Sequence, residues 1–113
     1  KNVIACHCKQ CRSWSGHYWA STACPTENLT LFSKDNTLRW YNSSDHAKRG
    51  FCTNCGSSLF WKLKKEGEEG DYYAISASSL DEPNHLTIER HIFCKYKGGY
   101  YTIPDSEQQD ETY

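Results

Sequence analysis

Aromatic and β-branched residues gather in short segments separated by turn formers, with polar positions interleaved, as in "SLFWKLK" and "YYAISAS". Such alternation marks strands with one face turned toward a core. It predicts strands over Asn2–Ala5, His17–Cys24, Leu29–Ser33, Thr37–Tyr41, Ser57–Lys64, Tyr72–Ala77, Leu86–Cys94 and Tyr100–Ile103. No segment sustains the period of a long amphipathic helix, so at most one helical turn is expected, after Cys11. The pattern therefore predicts a mostly β chain of short antiparallel strands. Its charged, glycine-containing "KKEGEEGD" reads as an exposed hairpin loop, and Lys97-Gly98-Gly99 as a second hairpin turn. The polar tail from Pro104 onward is expected to be loosely ordered.

Length changes this picture by limiting the core. A chain of 113 residues, 37% of them hydrophobic, fits one domain over residues 1–113 with a thin interior, so an additional staple is expected. Seven cysteines could supply it, but the number is odd and nothing resembling a signal peptide precedes them. Cys6, Cys8 and Cys11 are also too close in sequence to cross-link one another well. They read as reduced, metal-binding thiolates in a cytoplasmic protein.

Charge excludes more than it suggests. The formal net charge is −1 and no basic stripe is visible, which argues against nucleic acid as a partner. The longest apolar run is four residues, too short to span a membrane. No acidic residue precedes Glu27, while Lys1, Lys9 and Arg12 surround the first cysteines. These cations suit a solvated surface or an anionic ligand equally well.

Two cysteine clusters carry the candidate chemistry. In "GFCTNCGSSLFW", Cys52 and Cys55 frame a turn followed by Gly56, the form of a zinc knuckle. The first cluster, Cys6, Cys8 and Cys11, admits two arrangements. Cys8 and Cys11 can join Cys52 and Cys55 in one closed four-cysteine zinc site, which spacing alone favours. Alternatively Cys6, Cys8 and Cys11 hold zinc themselves and leave a fourth corner open, the feature that separates catalytic from structural zinc. His7 alternates with Cys6 and Cys8 and is expected to face away from them. Cys24 and Cys94 read as packing residues, and His17, His46, His85 and His91 show no ligand spacing.

Taken together, "CHCKQCRSWSG", "YNSSDHAKRGFCTNCGSSLFW", "SSLDEP" and "HIFCKYKGGYYTIPD" make the chain resemble the glutathione-dependent formaldehyde-activating enzyme family, which includes centromere protein V-like proteins. The resemblance runs through nearly the whole chain in order. It implies an Mss4-like zinc-binding β fold with two metal sites. Cys6, Cys8 and Cys11 would hold a catalytic zinc, and Cys52 and Cys55 would hold a structural one with an upstream C-x-C pair. Apart from the first cluster, no such upstream pair stands before Cys52 and Cys55 in this sequence, so the expectation is either that the chain has lost an N-terminal strand carrying it or that the second site is incomplete.

The implied activity is that of a carbon–sulfur lyase acting on a thiol adduct such as S-hydroxymethylglutathione, formed from glutathione and formaldehyde. Three thiolates favour a soft ligand, and a substrate thiol in the open corner would lose its proton at neutral pH. Arg12, Lys9 and Arg49 are the candidate partners for glutathione's carboxylates, Arg being the better residue for a two-pronged grip. The competing reading is a non-catalytic zinc-stabilised binding module. Neither reading fixes the oligomeric state.

Overall fold

The computed structural model describes residues 2–65 and 68–113, and the side chains of all of these except 65 and 68–70. Eight strands form one sheet: β1 Val3–Cys6, β2 Trp19–Pro25, β3 Leu38–Asn42, β4 Ala47–Cys52, β5 Ser58–Lys65, β6 Glu68–Ser76, β7 Ile88–Ile92 and β8 Gln108–Gln109. Their order across the sheet is β3-β4-β5-β6-β2-β1-β7-β8. Neighbours are antiparallel except that β7 lies parallel to both β1 and β8. One helix, α1, covers Lys9–Ser15. The expectation of a mostly β chain is met, with two parallel pairings added to the antiparallel ones.

α1 differs from the expected single turn after Cys11 because it begins earlier. Cys8, in extended backbone, caps it by accepting the Cys11 N–H at 3.3 Å, and Gly16 ends it with φ 88°. Thiols are poor predictors of a cap, so no ordinary helix-start signal precedes α1. This capped helix has one consequence for the site: Cys8 and Cys11 are held on the same short turn, directly beyond the end of β1.

Four further expectations need correction. Leu29–Ser33 forms no strand; after Pro25 the chain makes a single 3₁₀ turn at Thr26–Asn28, and Leu29 N–H returns to the Thr26 carbonyl, leaving Leu31 and Phe32 exposed. Tyr100–Ile103 forms no strand, and Lys97-Gly98-Gly99 joins no hairpin. Gly98 instead makes room for rings, since a Cβ there would lie 2.5 Å from Tyr100 Cε1. The tail is tied down, with β8 paired to β7, Arg90 bridged to Asp110 at 2.9 Å and the Phe93 N–H bonded to the Thr112 carbonyl. The strand β4 was hidden in a sequence stretch dominated by Lys48, Arg49 and the knuckle. Within the anticipated hairpin loop, β5 and β6 extend until Lys65 faces Glu68, and the intervening 66 and 67 lie outside the described residues.

Gly50 in β4 shows how tightly one face of this sheet is packed. A Cβ added there would sit 3.1 Å from both Phe60 and Trp40 ring carbons. Neither ring can retreat freely, because Phe60 also packs edge-on to Tyr73. Gly50→Ala is expected to lower stability by ~1–3 kcal/mol in urea unfolding. An unchanged midpoint would mean that these rings move aside at no cost. Among the described residues no helix is long and apolar enough to cross a membrane.

Candidate metal centre and active-site cavity

β1 delivers Cys6 at its end, and the capped turn of α1 returns Cys8 and Cys11 beside it. The three Sγ atoms lie within 4.8 Å of one another. Tetrahedral zinc with Zn–S bonds of ~2.3 Å needs sulfurs about 3.8 Å apart, so small side-chain rotations would suffice. No fourth histidine, cysteine or carboxylate joins them among the described residues. This overturns the closed site of Cys8, Cys11, Cys52 and Cys55. The knuckle follows at the C-terminal end of β4, and its sulfurs do not group with the trio.

The electrostatics of the trio call for a cation. Hydrogen bonds from Cys11 and Cys6 hold the Cys8 thiol down at about 2, making it the first to ionise. The same crowding pushes Cys6 far above the ordinary thiol range, through its contacts to Cys11 and then Cys8. Like charges this close cannot all ionise without a positive centre between them. The donor set thus fits a soft divalent ion.

Arg49 supplies one fixed positive charge from β4. Its Nη1 donates to Cys11 Sγ at 3.4 Å, and its guanidinium carbon lies 5.0 Å from the Trp14 ring centroid. Only 4% of the residue is exposed, and its Nε–H has no protein partner. Of the three cations singled out from sequence, Arg49 alone reaches the sulfur cluster. Arg12 donates its Nε–H to the His7 carbonyl at 3.2 Å, Lys9 is exposed on α1, and neither lines the cavity. Lys1 lies outside the described residues.

The trio opens into a cavity of about 640 Å³. Its walls include Trp19, Trp61, Tyr72, Phe93 and Ile92, with Ser21 and Thr22 among the polar positions. Burial raises the Tyr72 phenol above its usual range, helped by Tyr113, so it keeps its proton. Such a mostly apolar concavity with a few convergent polar groups is the usual form of a small-molecule site.

Behind the trio, His7 faces away from the sulfurs as expected, but it has a role that sequence spacing did not reveal. His7 is fully buried between Tyr101 and His91. His7 Nδ1 lies 2.6 Å from Tyr101 Oη, His7 Nε2 lies 2.8 Å from His91 Nδ1, and His91 Nε2 lies 2.9 Å from Glu107 Oε2. An ionised Glu107 only accepts, so His91 Nε2 donates; with neutral rings, His7 Nε2 then donates to His91 and Tyr101 O–H donates to His7. This relay fixes the Cys6–Cys8 segment to β7 and to the C-terminal stretch. The signal in sequence was weak, because bonded members of the relay lie up to 94 positions apart.

Burial, and then the neighbouring His91, lowers the His7 pKa from 6.5 to about 4. A histidine kept neutral in the fold stabilises it fully above the unfolded value of 6.5. That contribution is lost as pH falls toward 4, on the order of 2–3 kcal/mol. Urea unfolding across this window should show the loss, and His7→Gln should flatten it. Equal slopes for the two proteins would place the pH dependence elsewhere.

The knuckle itself is well made. Gly56 adopts φ 81° and returns its N–H to the Cys52 carbonyl at 2.7 Å. Cys55 is exposed, and the Ser57 hydroxyl at 3.0 Å, together with the Ser57 backbone, lowers its pKa. No third histidine, cysteine or carboxylate groups with Cys52 and Cys55 among the described residues. Cys24 and Cys94 are both half-buried, Cys24 within β2 and Cys94 in the turn after β7, and all seven cysteines are unpaired.

Comparison with known proteins places this geometry. Residues 1–96 match the family described as glutathione-dependent formaldehyde-activating enzyme. An uncharacterized lyase of Schizosaccharomyces pombe is 36% identical over 59 residues, which make up 52% of this chain and 42% of that relative. The match therefore spans less than half the length of that curated relative. Both cysteine clusters fall inside the region of the family match, and on that match the chain belongs to the glutathione-dependent formaldehyde-activating enzyme family.

Proposed function

We propose that this chain is a zinc-dependent carbon–sulfur lyase acting on adducts between a thiol and an aldehyde, with S-hydroxymethylglutathione as the reference substrate. The observation that carries this reading is the convergence of three sulfurs, without a fourth protein donor among the described residues, at the edge of a ligand-sized cavity. Family membership and the lyase name of the yeast relative support it. A purely scaffolding zinc would be expected to have four protein ligands.

Cys6, Cys8 and Cys11 would hold zinc, which when bound supplies a Lewis acid that favours thiolate over thiol in a bound substrate. The remaining roles belong to the chain. Arg49 balances the charge on Cys11 and offers its unpartnered Nε–H to a substrate oxygen. Tyr72 contributes a phenol that retains its proton beside the aromatic walls. Those walls limit water and so protect the adduct from uncatalysed exchange.

In the lyase direction the C–S bond of R–S–CH₂–OH breaks with its electron pair kept by sulfur. The hydroxyl proton leaves as the C=O bond forms, and no oxidation occurs. Seven unpaired thiols suit a reducing compartment such as the cytoplasm. The reading requires no nucleic-acid or membrane partner; its partner is a small thiol.

Exchange spectroscopy by NMR tests the proposal. The zinc-loaded protein should accelerate interconversion of glutathione plus formaldehyde with their adduct, and Cys8→Ala should not. Equal rates with and without protein, for this and every other thiol–aldehyde pair, would leave only a scaffolding role.

A further inference from the structure

Charge in the cavity narrows the substrate class. Among the described residues only Arg49 and Glu89 contribute charged side chains to its lining, and Arg49, held against Cys11 and Trp14, has just its Nε–H left for a substrate oxygen. Glu89, exposed at the rim, repels anions. Lys9 and Arg12 do not line it. The two carboxylates of a glutathionyl group would therefore be desolvated against Trp19, Trp61, Phe93 and Ile92 with at most one N–H of Arg49 between them, which is strongly unfavourable. Such a group must extend out of the cavity when its sulfur sits at the trio.

What remains inside is too large and too apolar for formaldehyde. With two heavy atoms, formaldehyde would leave most of the ~640 Å³ to water held against aromatic walls. Covering that surface with an apolar ligand group is favourable in proportion to the area removed from water.

We infer that the site takes thiohemiacetals bearing an apolar group, of alkyl-chain or aromatic-ring size, on the carbon or sulfur next to the reacting bond. This inference rests on the thiol-adduct reading above and specifies what that reading leaves general. The reaction is R–S–CH(OH)–R′ giving R–SH and R′CHO. The C–S bond breaks with its pair on sulfur, the hydroxyl proton ends on that sulfur, directly or through solvent, and the C=O bond forms.

Three pairs separate the sources of the apolar group in the zinc-loaded full chain. Hexanal with glutathione carries it on the aldehyde, benzyl mercaptan with formaldehyde carries it on the thiol, and formaldehyde with glutathione lacks it. At least one of the first two should exchange with kcat/KM at least tenfold above the third. The same pair should quench or shift tryptophan emission at lower concentration, since Trp19 and Trp61 line the cavity. A preference for formaldehyde with glutathione in both measurements would overturn the inference while leaving the lyase reading intact. Acceleration of none of the three would sink both.

Discussion

Cys8→Ala is expected to remove one metal ion per chain and to lower the proposed lyase activity by more than about 100-fold, beyond the loss typical of a supporting group. Cys8 is the sulfur that ionises first, and it also caps α1, so its loss affects both the charge and the placement of the trio. The replacement also leaves the Cys11 N–H without its cap acceptor, with a cost of about 1 kcal/mol. The sheet should persist, because β1 is paired on both sides through backbone hydrogen bonds independent of the sulfurs. Zinc content, circular dichroism and exchange rate measured on one preparation would check this. Retention of full metal content would show that Cys6 and Cys11 recruit a different third ligand.

Arg49→Met should weaken metal binding by roughly 10–100-fold, the range for losing a group that supports a ligand. Methionine fills much of the buried volume, so the change isolates the guanidinium: its hydrogen bond to Cys11 Sγ, its cation–π contact with Trp14 and its charge. Arg49→Lys should recover little, because a compact ammonium cannot both lie over Trp14 and direct an N–H at Cys11 Sγ as the longer, forked guanidinium does. Competition with a chromophoric chelator would give the affinities. Equal affinities in all three proteins would reduce Arg49 to a packing residue.

How much of this was legible in sequence depends on which residues carried local signals. The strands expected at Asn2–Ala5, His17–Cys24 and Ser57–Lys64 form, within two residues at each end, as Val3–Cys6, Trp19–Pro25 and Ser58–Lys65, because strand-forming residues bounded by turn formers carry a local signal. Leu29–Ser33 and Tyr100–Ile103 had strand-like composition but were recruited otherwise: Tyr100 and Tyr101 use their hydroxyls and rings on His17 and His7. The cysteine trio was visible by spacing, whereas choosing between a closed and an open site needed the path of β4. That path carries Arg49 into the site and leaves Cys52 and Cys55 outside the trio. The Tyr101–His7–His91–Glu107 relay was invisible because long-range register, set by the parallel β1–β7 pair, brings its members together.

X-ray absorption at the zinc edge, on protein loaded with a single equivalent of zinc, tests the open coordination corner most directly. The geometry predicts three sulfur scatterers at ~2.3 Å with one oxygen or nitrogen at ~2.0 Å, converting to four sulfurs only when a thiol is added. Four sulfurs in the protein alone, unaltered by added thiol, would contradict it.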